Sequence, residues 1–557
     1  MTAAEADPTG SMGAMGAGDA RAPIEHVIVL ALENRSFDHM LGFLDHPDPD
    51  FDGLRRGGPY TNPGWLGGTV EATPQAGRQV RIDPDHSHDA VMEQLAVRGS
   101  GGARRATNQG FVRSLERKGR GLSKRRFDGL LSPLAEWLDR LTSSKARAGL
   151  GPGAMLCQPP ARVPVLAKLA LEFCVCTRWF CSVPGETWPN RNFLHAATSD
   201  GEVGNEIRWF HNDTIFERLE QSAQLGDRKP WHIYHDDIPQ AWAFKNLWDS
   251  PRRHANWFHL SEFERHVEKG TLPAYSFLEP NHWPRRPAVS VSGLFDTESN
   301  SQHPGNNVSE DGAGPAASDV VSDAASDFAS DFARGEALIA TVYEALRGNP
   351  EVFKRSLLLI TYDEHGGFFD HRPPPSCPAA EGQDPSTLPW TTRLRHALLR
   401  REPESFDFSL LGPRVPAVIV SPYIRRHTVD REEHEHASVP ATLRALFAPD
   451  TDHLTPRAEK ARPFHTVRNL EEARAADLPD LKAYVRSLAR SRSRPERFDD
   501  RQEVPEHAKD FVAQAQLVAA ELTRTRGVRA PMPTDPFAIT RAFETTADHH
   551  REDLGEG

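Results

Sequence analysis

Residues 24–38 read IEHVIVLALENRSFD. From Ile24 to Leu32 the chain is β-branched and apolar without strict alternation, as in a strand buried on both faces of a parallel sheet. It runs straight into Glu33-Asn34-Arg35-Ser36-Phe37-Asp38, where Ser36 or Asp38 would cap a following helix. A second such strand, 357–362, stops at Asp363-Glu364-His365-Gly366-Gly367, and a third, 415–420, stops at Ser421-Pro422. Helical patterns such as 335–346 lie between them. Strand, helix, strand with buried-type strands predicts a doubly wound, mostly parallel α/β sheet flanked by helices. Ligands in such sheets sit beyond the carboxyl ends of the strands, and polar clusters fall there at 33–38 and 363–371.

The rest of the composition narrows the function. The 557 residues carry a formal charge of −12, which argues against a nucleic-acid binder and its basic footprint. No apolar run approaches a membrane span. The five cysteines are too few and odd in number for a disulfide framework, and without a CxxC pair they read as small buried residues. Residues 1–22 read as a flexible leader without a basic n-region or an apolar h-region. As written, this predicts a cytoplasmic protein; a mis-assigned start codon would hide an export signal.

Two segments read as insertions. Residues 98–126 hold ten Lys or Arg against one acid, Glu116, the pattern of a solvated loop or of a basic flap near an anionic substrate or lipid surface. In 308–333, Asp319, Asp323, Asp327 and Asp331 stand four apart, so on a helix they share a face and repel. That suits a frayed, acidic helix start better than an EF-hand loop. Beyond 466 the chain is charge-rich, with an Arg/Ser run from Arg486 to Arg497 and one helix expected near Glu506 to Thr525. Residues 467–557 read as a partly helical appendage whose last fifteen or so residues are disordered.

No Gly-Lys dipeptide, GxSxG or HExxH occurs, which excludes P-loop, nucleophile-elbow and zincin chemistry. What remains is a hard-ligand set. Glu33 and Asn34 follow the first strand, Asp363 and Glu364 the second, and carboxylates with amide oxygens and nearby His suit Mg²⁺, Mn²⁺, Ca²⁺ or Zn²⁺. In Ser182-Val183-Pro184-Gly185-Glu186-Thr187-Trp188-Pro189-Asn190-Arg191, two prolines pin a turn around Thr187. Asn190 and Arg191 there offer donors suited to a phosphate, or a structural loop with Arg191 in a salt bridge. A hydroxyl beside a divalent cation becomes a nucleophile.

These residues resemble a known family. Glu33-Asn34-Arg35-Ser36-Phe37-Asp38-His39, Thr187-x-Pro-Asn-Arg191 and Thr361-Tyr362-Asp363-Glu364-His365-Gly366-Gly367-Phe368-Phe369-Asp370-His371 are similar to the motifs of bacterial and plant phosphoesterases. That family comprises non-specific phospholipases C and acid phosphatases of the alkaline phosphatase superfamily. Asp85-His86-Ser87, Glu279-Pro280, His303-Pro304, Gly412-x-Arg-Val-Pro416 and Glu435-His436-x-Ser438 with Arg457 agree in order. The resemblance implies an alkaline-phosphatase-like core over 23–466, a nucleophile at Thr187 and a metal held by Glu33, Asn34, Asp363 and Glu364. It also places His86, His303 and His436 on the phosphate or the leaving group. The insertion at 308–333 and the missing export signal depart from the family's pattern.

The implied reaction is metal-dependent hydrolysis of a phosphate ester through a phosphothreonine, with phospholipase C type cleavage of phospholipids ahead of an acid phosphatase acting on monoesters. Peripheral membrane contact fits the former, and Trp179, Phe180, Trp188, Trp283 and Phe295 would line an apolar mouth or belong to the core. Thr187 cannot become the formylglycine of a sulfatase. A binding relative without turnover is the other class, and every expected ligand position is filled by a competent residue.

Overall fold

His26–Leu32 forms strand β1, every residue of it buried. The computed structural model describes residues 21–65, 67–98, 105–119, 150–282, 299–308, 330–378, 406–485, 508–526 and 536–555. Seven more strands join β1: Cys174–Cys176 (β2), Trp231–His235 (β3), Trp257–His259 (β4), Tyr275–Leu278 (β5), Ser356–Tyr362 (β6), Ala417–Val420 (β7) and Thr428–Asp430 (β8). They form one eight-stranded sheet in the order β8-β2-β7-β6-β1-β5-β3-β4. Every pairing is parallel except those of β7, which runs antiparallel to β6 and β2. The sequence grouped β7 with the parallel strands. An apolar run reports burial on both faces and says nothing of direction.

The register of the central strands sets the site. Leu32 pairs with Tyr362, and Leu30 pairs with Leu278. Glu33 and Asp363 therefore leave the sheet level with one another, and Glu279 leaves two residues earlier along β5. Helices flank the sheet: Phe37–Leu41 (α1), Phe111–Gly119 (α2), Pro164–Glu172 (α3), Thr187–Ala196 (α4), Asp331–Gly348 (α5) and Ser438–Phe447 (α6). Helix α3 packs on α5, and α4 on α6. Of the two proposed caps of α1, Ser36 does the work, its Oγ accepting the His39 N–H at 3.0 Å. Among the described residues no helix is long and apolar enough to cross a membrane.

Several sequence expectations change here. Part of the basic stretch 98–126 is a packed helix, because α2 buries Phe111, Val112 and Leu115 beside Phe369. Arg117 of α2 pairs with Glu93 at 2.6 Å, and Glu116 accepts the Trp65 N–H at 2.6 Å. The charge count hid an apolar stripe. Of the four spaced acids only Asp331 lies among the described residues. It is buried, its Oδ1 accepting the Ser301 N–H and its Oδ2 the Asn307 amide, both at 3.1 Å. The expected C-terminal helix is Lys509–Arg526 (α7), and a second, Pro536–Asp553 (α8), occupies most of the tail read as disordered. Ile539, Phe543 and Ala547, four apart, are buried, with Phe543 against Trp242, His254 and Trp257. That apolar stripe carries the helix. The Arg/Ser run lies outside the described residues.

Gly366 and Gly367 bring the loop after β6 onto its neighbours. Both have positive φ, +65° and +73°. A Cβ on Gly366 would stand 2.0 Å from the Asn34 carbonyl oxygen, and one on Gly367 2.6 Å from Pro84 Cβ. Gly366→Ala is expected to lower stability by about 2 kcal/mol or more, read as a fall in the urea midpoint. An unchanged midpoint would show that the two loops are not packed this closely.

Candidate active site

Three adjacent strands end in acids. Glu33 and Asn34 follow β1, Glu279 follows β5, and Asp363 and Glu364 follow β6; none is more than 1% exposed. Arg191, on α4, lies fully buried among them. Its Nε donates to Asp363 Oδ2 at 3.1 Å, one terminal nitrogen donates to the Ala31 carbonyl at 3.0 Å, and the other pairs with Glu279. A planar fork with separated donors can serve three strand ends at once, which an ammonium cannot. Burial alone would raise the Glu279 carboxyl, yet Arg191 and then His282 hold it down to about 2.

Asn34 adopts the left-handed region with φ 60°, which Asn tolerates better than most residues. This turn aims its N–H at Asp363 Oδ1, 3.0 Å away, and the same oxygen accepts the Glu364 N–H at 2.7 Å. Thr187 opens α4, and its Oγ1 donates to Asn34 Oδ1 at 3.5 Å. The hydroxyl therefore stands at a helix N-terminus, where the dipole favours developing negative charge.

Asn190 holds the loop that carries Thr187. Its Oδ1 accepts the Val183 N–H at 2.9 Å, and its Nδ2 donates to the carbonyls of Val183 and Glu186 at 3.1 and 3.0 Å. Behind the loop, Glu435 accepts from Ser182 Oγ at 2.7 Å and from Arg457 Nε at 2.6 Å. Asn190 and Arg191, expected on the phosphate, thus have protein acceptors and form the frame of the site. His436 is likewise engaged. Its Nε2–H donates to the Asp363 carbonyl at 2.5 Å, its Nδ1 accepts from Trp179 Nε1 at 3.4 Å, and burial holds it down to about 4. It supports the Asp363 backbone, and both ring nitrogens are taken. Trp179, Phe180 and Trp188 are fully buried core; Trp283 and Phe295 lie outside the described residues.

His86 and His303 come together on the other side. Their ring centroids lie 5.6 Å apart, and His86 Nδ1 is 4.0 Å from Glu364 Oε1. Asp83, absent from the sequence reading, joins them, with one ligand atom from each of the three within 4.8 Å of the others. His303 Nδ1 accepts the Gly305 N–H at 2.9 Å, so in the neutral ring the proton sits on Nε2. That tautomer faces an anion as a donor and gives no lone pair to a metal.

The strand-end acids fit a cation better. Glu33, Glu279, Asp363 and Glu364 are four buried carboxylates, and the buried Arg191 and His282 that pair with them neutralise half of that charge. Glu364 Oε1 is buried without a hydrogen-bond partner among the described residues, and unpaired buried carboxylate oxygens are costly. Burial pushes the Asp363 carboxyl up, Arg191 opposes, and Glu33 and Glu364 push it up again, to about 7. The hard oxygen donors Glu33, Asn34, Asp363 and Glu364 suit a divalent cation.

A model described as Phosphoesterase family matches residues 24–448. The chain belongs to the phosphoesterase family. It is an enzyme, a hydrolase of phosphoric esters. Arabidopsis thaliana non-specific phospholipase C3 is 31% identical over 494 residues, covering 84% of this chain and 78% of the relative. A non-hemolytic phospholipase C from Burkholderia pseudomallei is 26% identical over 79% of this chain and 57% of its own length. A solved protein in the alkaline phosphatase superfamily from Vibrio parahaemolyticus aligns with 51% of this chain and 60% of its own, at 13% identity and a TM-score of 0.26.

A second buried cluster of this phosphoesterase, Asp38, Asp370 and His371, also has the spacing of metal ligands. Arg414 already fills it, with Nε 2.8 Å from Asp370 and a terminal nitrogen 3.0 Å from Asp38. This cluster ties the ENRSFD loop to the DEHGGFFDH loop. His371 lies between Asp38, 2.7 Å from Nδ1, and Asp52, 3.2 Å from Nε2.

His282 is a second residue of the site that sequence reasoning missed. Its Nδ1 lies 2.9 Å from Glu33 Oε2 and its Nε2 3.4 Å from Glu279 Oε2, and its ring stacks on Phe511 of α7 at 4.4 Å. The signal was a third strand, 275–278, running into Glu279-Pro280-Asn281-His282 as the other two run into their acids.

Two outcomes follow from these charges. Arg191→Lys should cost about 3–5 kcal/mol in chemical denaturation, because one ammonium leaves buried carboxylates unpaired; a loss under 1 kcal/mol would contradict the clamp. Burial would lower the His371 imidazole, but Asp38 and Asp52 raise it from 6.5 to about 9. Its stabilisation is present in full below pH 6.5 and is lost as pH rises through about 9. His371→Gln should flatten that part of the stability–pH curve, and a wild-type slope in the variant would place the charge elsewhere.

Proposed function

We propose that this phosphoesterase cleaves phosphodiesters of the phospholipid class in a metal-dependent, phospholipase C type reaction, with Thr187 as nucleophile. The observation that carries the reading is the Thr187 hydroxyl, at the N-terminus of α4, aimed at Asn34 where the acidic ends of β1 and β6 meet. The relatives named as phospholipases C supply the substrate class. Glu33, Asn34, Asp363 and Glu364 would hold a divalent cation, which supplies charge neutralisation for phosphoryl oxygens and favours the alkoxide of a neighbouring hydroxyl.

Thr187 Oγ1 gives its proton to solvent and attacks phosphorus. The new Oγ1–P bond forms as the ester P–O bond to the diacylglycerol oxygen breaks, and the leaving oxygen takes up a proton. His303 is the donor for that oxygen, since its Nδ1 is engaged by Gly305 and its proton sits on Nε2. His86, between Glu364 and Asp83, lines the same side and donates to the phosphoryl group. The threonyl phosphodiester that results still carries the head group; water attacks its phosphorus, the Oγ1–P bond breaks, the phosphorylated head group leaves and Thr187 Oγ1 regains a proton. Arg191, Asn190 and His436 act by fixing the carboxylates and the nucleophile loop in place, so no reorganisation accompanies the charge development.

Thr187→Ala should lose about a thousandfold or more in kcat while keeping the wild-type circular dichroism spectrum, and Thr187→Ser should retain part of it. A chelator should abolish turnover of the wild type, and a divalent cation should restore it. Phosphatidylcholine should give diacylglycerol and phosphocholine. Phosphatidic acid among the products, or an active Thr187→Ala, would overturn the reading. A kcat/KM a hundredfold higher on p-nitrophenyl phosphate than on p-nitrophenylphosphorylcholine, about 2.7 kcal/mol of transition-state preference, would make it a phosphomonoesterase.

A further inference from the structure

His282 lies outside the four proposed ligands, yet it links two parts of the site. Its Nδ1 is 2.9 Å from Glu33 Oε2 and its Nε2 is 3.4 Å from Glu279 Oε2, the oxygen that also pairs with Arg191. Arg191 in turn holds Asp363. Glu33 and Asp363, from different strands, are thus joined behind the site through His282, Glu279 and Arg191. The imidazole is held from its own backbone too. Its N–H donates to Asp237 Oδ2 at 2.7 Å, and its carbonyl accepts from Asn306 Nδ2 at 3.1 Å. Asn281 beside it donates to Asp236 Oδ2 at 3.1 Å. With a carboxylate oxygen within ion-pair distance of each ring nitrogen and both backbone polar groups hydrogen-bonded, the side chain has little freedom left, so it constrains where the Glu33 carboxylate points.

We propose that His282 is a positioning residue that orients Glu33 for cation binding and couples it, through Glu279 and Arg191, to Asp363. The proposal rests on the reading of Glu33 and Asp363 as cation ligands. Hydrogen-bonded partners behind ligands of this kind set ligand orientation, and their removal commonly weakens metal affinity 10–100-fold.

Two substitutions separate a hydrogen-bonding role from a packing role. His282→Phe keeps a ring to stack on Phe511 and removes both donors. His282→Gln removes the ring and keeps one amide donor within reach of Glu33. Chelator-stripped protein is titrated calorimetrically with Mg²⁺, Mn²⁺, Ca²⁺ and Zn²⁺ singly, alongside circular dichroism to confirm the fold. The wild type alone tests the cation reading: if it takes up none of the four, that reading falls and the proposal falls with it. If the wild type binds, His282→Phe should bind the preferred cation about 10–100-fold more weakly, with His282→Gln closer to wild type. Wild-type affinity in His282→Phe, or the reverse ranking, would overturn the positioning role and leave the cation site standing. Should His282→Phe fail to fold, His282→Asn decides: its shorter amide falls back from Glu33, so it should bind more weakly than His282→Gln, and equal affinity in the two would overturn the proposal.

Discussion

The fully buried guanidinium of Arg191 holds the ends of three neighbouring strands, through Ala31 after most of β1, Glu279 after β5 and Asp363 after β6. Carboxylates with no counter-charge would not remain ionised in that interior. The same residue belongs to the helix that begins with Thr187, one turn away. A single cation therefore sets both the spacing of the acids and the place of the hydroxyl relative to them. The two-residue offset between Glu279 and Glu33, which follows from strand register, is what lets one planar group reach both sides.

Around this clamp the molecule keeps an excess of negative charge on one side and proton donors on the other. Glu33, Asp363 and Glu364 crowd the strand ends, and Glu364 Oε1, without a hydrogen-bond partner among the described residues, lies 4.0 Å from His86 Nδ1. His303 is held with its proton outward by the Gly305 backbone. With a divalent cation held by those acids, as proposed, a phosphoryl group placed between the two would meet charge neutralisation at its oxygens and a donor at its leaving group. The residues that look free in sequence, Asn190 and His436, are committed to loop and backbone, so the site is rigid where the nucleophile is presented.

Much of this was legible from the residues. The apolar strands at 26–32 and 356–362 report burial, and the acids that follow them fall where ligands of such sheets bind. The place of Thr187 beside Asn34 was legible through the resemblance of its motif. The antiparallel sense of β7 was not, since composition carries no direction. For Arg191 the sequence left a phosphate donor and a salt bridge open, and the structure shows the salt bridge. The partners of Asn190 and His436 were not legible because a donor's partner is a matter of tertiary geometry, and three of Arg191's partners are 88 or more residues away in sequence. His282 was missed although the strand before it runs into Glu279-Pro280-Asn281-His282, because that local signal does not tell that the imidazole lies between acids from two strands. The helix at 536–553 was hidden by its charged surface, although Ile539, Phe543 and Ala547 carried its period.

The proposed reaction requires Thr187 to form a covalent bond to phosphorus during turnover. It is tested most directly by acid quench of the enzyme within a few milliseconds of mixing with p-nitrophenylphosphorylcholine, followed by peptide mass spectrometry. Phosphocholine esterified to Thr187 is expected, in an amount that rises with the burst of p-nitrophenolate and is absent from Thr187→Ala. Turnover with an unmodified Thr187 peptide at every quench time, or the adduct on a histidine, would contradict it.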